Sequence, residues 1–203
     1  MNKLEKLNKE LDGKSPQEVV EFVLKQSDNP VITTNFRPYE VAILHLITSI
    51  KPDIQIVWCD TGYNTPNTYR HAEKCINDLS LNIQTFVPKQ TVAHRNSIMG
   101  IPDVSDPNHS IFTEQVKLEP FNRAMKMIKP DLWFTNIRSG QTSFRSELNI
   151  CSESKDGLLK ASPFFNFSDS ELDTYLKTHN LENEFKYYDP TKVLETRECG
   201  LHQ

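Results

Sequence analysis

The sequence predicts an α/β fold with a mainly parallel sheet, and three observations support this prediction. Strand-like and helix-like segments alternate along most of the chain, which is the order typical of parallel α/β proteins. The segment IQIVW at residues 54–58 is almost entirely apolar, as are strands that helices cover on both faces. Capping boxes at Ser15 and Ser168 mark two helix starts. We treat residues 1–203 as a single domain, because this length suits one sizeable core.

The first half of the chain is predicted to alternate between helices and strands. The capping box at Ser15 precedes an apolar helix, and the β-branched residues at 31–34 predict the first strand. Residues 39–50 are apolar over most of a helical surface, so this helix is expected to be well buried. The strand at residues 54–58 follows, and a further helix is expected to begin after Thr65.

The second half continues the alternation after a third strand at residues 82–87. Residues 88–110 are polar and contain three prolines, which predicts a loop or a lid. A helix is expected over residues 120–128, and a fourth strand over residues 132–136. The second capping box, at Ser168, predicts the start of the last helix.

Composition excludes several classes of function. The net charge of -4 argues against a broad nucleic-acid-binding face. No apolar run reaches the length of a membrane span, and the charged N-terminus lacks the hydrophobic core of a signal peptide. We therefore expect a cytoplasmic protein that binds neither nucleic acid nor membrane. The cysteines, at positions 59, 75, 151 and 199, form no close pairs, so we expect neither a disulfide framework nor a metal site built on paired cysteines.

Three polar loops follow predicted strands and are the candidate binding elements. In open parallel sheets, ligands bind beyond the carboxyl ends of the strands. The loops are TTNFRPYE at residues 33–40, CDTGYN at 59–64 and NIRSGQTSFR at 136–145. The first offers hydroxyls and an amide before a helix, which suits a phosphate, although the same residues are also typical of an ordinary helix cap.

The other two loops have the same double interpretation. In the second loop, Asp60 can hold an amine or a hydroxyl, and Gly62 lets a ligand approach the backbone. In the third, Arg138 and Arg145 can clamp a polyanion beside Gln141, or the loop can be a solvated charged segment.

Cys199 lies four residues before the last residue, in ETRECGLHQ, where we expect a flexible tail from about residue 185. Arg197 and His202 would lower the pKa of this thiol, and a thiolate is a nucleophile. The alternative is a free tail thiol without a role. Cys75 lies on an apolar helical face and Cys151 in a strand-like stretch, so both are interpreted as structural, as is His45; Cys59 is ambiguous.

Six ordered stretches together resemble one known family. They are TTNF…VAILHLI, DTGYNTPNTYR, KLEPFNRAMK, IRSGQTSFR, LKASPFFNFSDSELDTYL and the terminal ECGLH. In this order they resemble the 3′-phosphoadenylyl-sulfate (PAPS) reductases, within the wider adenylyl-sulfate reductase family. The resemblance runs from about residue 31 to residue 203 and implies a Rossmann-like sheet of the adenine nucleotide alpha hydrolase type.

The resemblance implies a mechanism centred on Cys199. Its thiolate attacks the sulfate sulfur of PAPS, leaving an S-sulfocysteine on the enzyme, from which thioredoxin or glutaredoxin releases sulfite. Arg197 and His202 complete the implied catalytic set, and a homodimer is expected. The implied substrate-binding residues are Thr33, Thr34, Asn35, Phe36, Asp60, Thr61, Gly62, Tyr63, Lys117, Arg138, Gln141 and Arg145, and the charge of Arg37 adds it to this set.

The resemblance also bears on cofactors. Family members that use adenylyl sulfate (APS) commonly bind a [4Fe–4S] cluster through two cysteine pairs. Phe112 and Thr113 stand at the positions of the first pair, and no cysteine lies between Cys151 and Cys199. We therefore expect no iron–sulfur cluster and no other metal, which favours the PAPS type.

The chain departs from the family pattern in three places, and alternatives stay open. Arg37 stands where Gly is usual, Ser139 stands where a second Arg is usual, and the tail is short. Arg37 either reads the 3′-phosphate of PAPS, or points to solvent or pairs with Glu40. The alternative functions are a cluster-free APS reductase, an enzyme of the ATP pyrophosphatase type, whose SGGxDS loop is missing here, and a nucleotide-binding protein without activity.

Overall fold

The computed structural model describes residues 2–191 and contains one six-stranded sheet. Its strands are β1 Pro30–Thr34, β2 Gln55–Cys59, β3 Ile83–Phe86, β4 Leu132–Phe134, β5 Cys151–Glu153 and β6 Leu159–Ala161. They lie in the order β3-β2-β1-β4-β6-β5. All neighbouring pairs of this sheet are parallel except β5 and β6, which are antiparallel. The predicted α/β class with a mainly parallel sheet is therefore confirmed.

Helices cover both faces of the sheet. They are α1 Lys3–Leu11, α2 Pro16–Leu24, α3 Glu40–Ile50, α4 Pro66–Asp78, α5 Val92–Ile98, α6 Asn108–Thr113, α7 Glu119–Ile128, α8 Ser143–Ser146 and α9 Asp169–Thr178. A π-helical turn at Glu114–Leu118 joins α6 to α7, and a 3₁₀ turn lies at Ser139–Gln141. None of the described helices combines the length and the apolarity needed to cross a membrane.

Two parts of the predicted element order need correction. Residues 88–110 do not form one continuous loop, because they contain α5 and the start of α6. The Thr91 hydroxyl begins α5 by accepting a hydrogen bond from the His94 amide at 3.2 Å, a local cap that the nearby prolines obscured. Helix α1 and strand β6 were not predicted, although Asn2 and Glu5 form a capping box that marks the start of α1.

The hydrophobic core is divided between the two faces of the sheet. The larger part lies under α1, α2, α3 and α9 and includes Cys75 and Cys151, which are both buried as predicted. His45 is half-buried there, and its Nδ1 atom lies 2.8 Å from the Tyr175 hydroxyl, which confirms its structural interpretation. The smaller part lies under α7, where Phe121 and Ala124 pack against Trp133 and neighbouring strand residues.

The chain order places a crevice at one edge of the sheet. From β1 the chain proceeds to β2 and β3 on one side, and then crosses to β4 on the other side. Such a reversal of strand order leaves a crevice beyond the carboxyl ends of the strands. The polar loops that follow β1, β2 and β4 meet at this edge.

The described part of the tail packs against the domain. Residues 179–191 form no further helix or strand, yet Asp189 and Thr191 are buried. The Asn183 side chain accepts a hydrogen bond from the Tyr39 amide at 2.9 Å, and the Thr65 hydroxyl donates to the Lys186 carbonyl at 2.9 Å. Within the expected tail from about residue 185, the described residues up to Thr191 therefore contact the domain, and the flexibility of the tail stays a prediction.

Candidate active site

A cleft opens between the carboxyl ends of β1, β2 and β4, and its empty space, including the solvent at its open mouth, is about 740 Å³. Its walls come from the first two polar loops, from β4 and the residues after it, from α7 and the turn before it, and from the terminal segment. The lining residues are Thr33, Thr34, Asn35, Arg37, Glu40, Cys59, Thr61, Asn64, Lys117, Phe121, Trp133, Thr135, Asn136, Tyr187 and Asp189.

Glu40 organises the loop after β1. It is the first residue of α3 and is buried, and its carboxylate accepts hydrogen bonds from the Thr34 hydroxyl and the Asn35 amide, both at 2.8 Å. Arg37 Nε lies 2.9 Å from the same carboxylate, so the two side chains form an ion pair. Of the two interpretations of Arg37, the structure shows the pair with Glu40.

This arrangement changes the interpretation of the first loop. The hydroxyl, amide and guanidinium groups assigned to a phosphate already have an internal anion as their partner. The helix-cap alternative is not observed either, because Tyr39 stands at the cap of α3 without a side-chain hydrogen bond. Phe36 turns away from the cleft, is buried, and packs edge-on against Trp58 at 4.9 Å between ring centroids.

Asp60 acts as the anchor of the second loop. Its Oδ1 atom accepts hydrogen bonds at 2.9 Å from the Gly62 amide, the Asn64 side chain and the Tyr69 hydroxyl. Gly62 has a φ of 81°, and a Cβ atom there would lie 2.6 Å from a methyl group of Val92. In this structure it is therefore Val92 of α5 that lies close to the backbone of Gly62.

Thr61 is the predicted residue of this loop that lines the cleft. Its hydroxyl accepts a hydrogen bond from the Tyr63 amide at 3.2 Å. The Tyr63 side chain points to α5, where its hydroxyl donates to the Asn96 side chain at 2.8 Å.

The cations of the third loop do not line the cleft. The guanidinium carbon of Arg138 lies 5.3 Å from the Tyr39 ring centroid, and its Nη1 atom is 2.5 Å from the Asp169 carboxylate at the start of α9. Arg145 is buried and donates to the Gln141 side chain. In this structure these residues brace the loop against α9 and against each other.

Lys117 supplies the buried positive charge of the cleft. It lies in the π-helical turn before α7, and its side chain is only 6% exposed. Its ammonium group lies 2.5 Å from the Asp189 carboxylate and 3.2 Å from the Thr191 hydroxyl. Burial alone would raise the pKa of Asp189, but the charge and hydrogen bond of Lys117 lower it below its usual value.

Strand β4 and the loop after it add groups that the sequence interpretation did not assign. The Trp133 indole donates to the Thr33 hydroxyl at 3.0 Å, and the Thr135 and Ser162 hydroxyls lie 2.7 Å apart. The Asn136 amide donates to the Tyr39 carbonyl at 3.3 Å, while its buried Oδ1 atom has no hydrogen-bond partner. A buried acceptor of this kind suits a donor on a bound ligand.

The described cysteines are poor nucleophiles. Burial raises the pKa of Cys59, which lines the cleft, to about 12, although Arg123 and Lys117 oppose this shift. Burial also raises the pKa values of Cys75 and Cys151 to about 12. All three are therefore thiols at neutral pH. The predicted catalytic residues Cys199, Arg197 and His202 lie outside the described residues.

The structure brings together about half of the predicted binding residues. Those that line the cleft are Thr33, Thr34, Asn35, Arg37, Thr61 and Lys117. Those that do not are Phe36, Asp60, Gly62, Tyr63, Arg138, Gln141 and Arg145. Their roles in binding stay predictions. Sequence reasoning missed Tyr187 and Asp189 completely, because the terminal segment has no regular pattern.

Comparisons with known proteins identify the family. The family model of the phosphoadenosine phosphosulfate reductase domain matches residues 29–188. The chain belongs to this family. A phosphoadenosine 5′-phosphosulfate reductase of Xylella fastidiosa (strain M12) is 31% identical, with 100% of this chain and 95% of the relative covered. The corresponding protein of Erwinia tasmaniensis is 28% identical, over 98% of this chain and 92% of its own.

The fold of the phosphoadenosine phosphosulfate reductase family is also found by structural comparison. A crystal structure of PAPS reductase from Candida auris has a TM-score of 0.79 and 23% identity, covering 90% of this chain and 89% of its own. A U34-tRNA thiolase from Methanococcus maripaludis has a TM-score of 0.59 and 12% identity, covering 88% of this chain and 66% of its own. These two likenesses concern the fold alone.

Proposed function

We propose that the chain is a PAPS reductase that uses Cys199 as its nucleophile. Membership of the reductase family, together with the terminal ECGLH motif that the sequence retains, carries the proposal. The buried ammonium of Lys117 at the carboxyl edge of the sheet gives the cleft a group suited to the anionic end of such a substrate.

In the proposed reaction, the Cys199 thiolate attacks the sulfate sulfur of PAPS. A bond forms between the two sulfur atoms, and the bond from sulfur to the bridging phosphate oxygen breaks. The nucleotide leaves as adenosine 3′,5′-bisphosphate, and the enzyme keeps an S-sulfocysteine. A dithiol protein, thioredoxin or glutaredoxin, then attacks Cys199 Sγ and releases sulfite. Its second thiol resolves the mixed disulfide and regenerates the Cys199 thiol, so the dithiol protein supplies both electrons.

The proposed reaction uses no iron–sulfur cluster. Phe112 stands at a position where cluster-binding relatives have cysteine. It is fully buried on α6, and its apolar side chain cannot bind iron. The described cysteines do not supply the missing pair, because Cys75 and Cys151 are buried on α4 and β5. The residues present do not fit the cluster, and iron analysis of the purified protein is expected to find none.

APS is the second candidate substrate, and the ion pair between Arg37 and Glu40 supports this alternative. PAPS differs from APS by a 3′-phosphate, whose recognition requires a cation, and the guanidinium of Arg37 is engaged by a carboxylate. Parallel assays with the two nucleotides distinguish the candidates. The expectations of a homodimer and of a cytoplasmic location stay predictions.

The proposal is tested by sulfite release from PAPS and APS in the presence of thioredoxin. Without thioredoxin, peptide mass spectrometry should find a sulfonate adduct on Cys199. The variant Cys199→Ser should lose turnover but keep nucleotide binding, because a hydroxyl is far less ionised at neutral pH. Cys59→Ser is the control and should still release sulfite. An adduct on Cys59, or full activity of Cys199→Ser, contradicts the mechanism.

A further inference from the structure

The terminal segment inserts a carboxylate into the cleft. Asp189 pairs with Lys117 at 2.5 Å, and the two side chains are 5% and 6% exposed. Asp189 Oδ1 also accepts hydrogen bonds from the Thr191 amide at 2.9 Å and from the Thr191 hydroxyl at 2.6 Å. The three residues form a compact network in which the buried positive charge of Lys117 is already compensated.

The charges of the cleft cancel in this arrangement. Among the described residues that line it, the cations are Arg37 and Lys117 and the carboxylates are Glu40 and Asp189. Each cation lies within ion-pair distance of one carboxylate. An anionic ligand that approaches Lys117 therefore meets a neutralised ammonium group and a second negative charge beside it, which opposes binding.

The two carboxylates differ in how they are held. Glu40 belongs to the first turn of α3 and accepts hydrogen bonds from its own loop. Asp189 belongs to a segment that forms neither helix nor strand. Tyr187 of this segment also lines the cleft, and its hydroxyl donates to Asn35 at 2.7 Å when the Asn35 amide nitrogen faces Glu40. Asp189 is thus the carboxylate that can be exchanged without unfolding a helix.

We infer that Asp189 is an internal anion that occupies the substrate-binding lysine until the substrate displaces it. The inference rests on the proposed function, because it assigns Lys117 to the anionic end of a sulfonucleotide. Binding exchanges one anion at Lys117 for another and releases residues 187–191 from the cleft. In the sequence, Thr191 precedes the proposed nucleophile Cys199 by eight positions.

The exchange predicts that removal of the internal anion increases affinity. A protein whose binding-competent form is only partly populated binds its ligand more weakly by that fraction. Asp189→Asn keeps the shape of the side chain but removes its charge. In full-length protein carrying Cys199→Ser, to prevent turnover, Asp189→Asn should bind PAPS roughly 3- to 30-fold more tightly in calorimetry. Asp131→Asn, which changes a carboxylate that caps residues 27–29 away from the cleft, should leave PAPS affinity unchanged.

A second measurement does not depend on the Asp189 variant being stable. In the Cys199→Ser chain with Asp189 intact, hydrogen exchange of the Thr191 amide should accelerate when PAPS is added, because release of residues 187–191 exposes this buried amide to solvent. Unchanged affinity of Asp189→Asn together with unchanged exchange at Thr191 overturns the inference while the proposed function stands. If the chain with Asp189 intact binds neither PAPS nor APS, the proposed function fails and the inference fails with it.

Discussion

The ion pair between Arg37 and Glu40 offers a direct test of how the first loop is organised. The structure predicts that this pair is partly buried and energetically coupled, because the two side chains are 20% and 7% exposed and lie 2.9 Å apart. A double-mutant cycle isolates the coupling: Arg37→Ala, Glu40→Ala and the double variant are compared with the starting chain.

The magnitude follows from the contacts that each change removes. Glu40→Ala removes the acceptor of the Thr34 hydroxyl, the Asn35 amide and the Arg37 guanidinium, all of them largely buried. Because a buried polar group without a partner costs about 1–3 kcal/mol, and Arg37 can still turn partly to solvent, we expect a loss of about 3 kcal/mol. Arg37→Ala should cost about 1 kcal/mol, and the coupling energy should be about 1–2 kcal/mol.

Urea denaturation followed by circular dichroism gives the four free energies of unfolding. The matched control is the exposed pair Lys74–Asp78, whose side chains are 47% and 58% exposed at 2.7 Å. Its coupling should not exceed about 0.5 kcal/mol, as is typical of exposed helical pairs. A coupling between Arg37 and Glu40 as small as that of the control refutes the reasoning, and the loop is then held mainly by its backbone.

Two further predictions concern the scaffold. Gly62→Ala should cost about 1–3 kcal/mol of stability, because the positive φ and the nearby Val92 methyl group both oppose a side chain. The control Gly140→Ala, with open space around the added methyl group, should change stability by no more than about 0.5 kcal/mol. Equal losses of the two variants in urea denaturation contradict this prediction. Burial lowers the pKa values of His45 and His71 below 6.5, so the folded state disfavours their protonation. The stability that they contribute is present above pH 6.5 and is lost as the pH falls below it. The free energy of unfolding should therefore decrease as the pH falls from about 7.5 to about 5.5, and an equal decrease in His45→Gln would falsify the assignment.

The sequence predicted the position of the cleft because a topological rule depends only on element order. Apolar strands followed by polar loops identify the carboxyl edge of a parallel sheet. The rule selected the loops that contain Thr33, Thr61 and Asn136, and the structure places all three in the lining, although Asn136 itself was assigned no role. Lys117 was found through the resemblance of its stretch to the family.

The partners of these residues could not be predicted from local patterns. Lys117 meets Asp189, 72 positions later in the chain, and only the folded structure brings the two together. Arg138 carries a charge that suits a polyanion, but the start of α9, 31 positions later by residue number, offers it Asp169. Side-chain charge shows what a residue can bind, whereas the fold decides which of several possible partners it meets.

The packing of α7 has a consequence for how the buried ammonium group of Lys117 is positioned. Phe121 and Ala124 press against the sheet, and Lys117 lies in the π-helical turn that continues directly into α7. The packing of α7 in the core therefore sets the position of the ammonium group at the edge of the sheet. Because the turn that carries Lys117 is continuous with α7, a core substitution that slides or tilts α7 also moves the ammonium group. Under the proposed function, a change of core volume beneath α7 therefore also changes the affinity of the cleft for its anionic ligand.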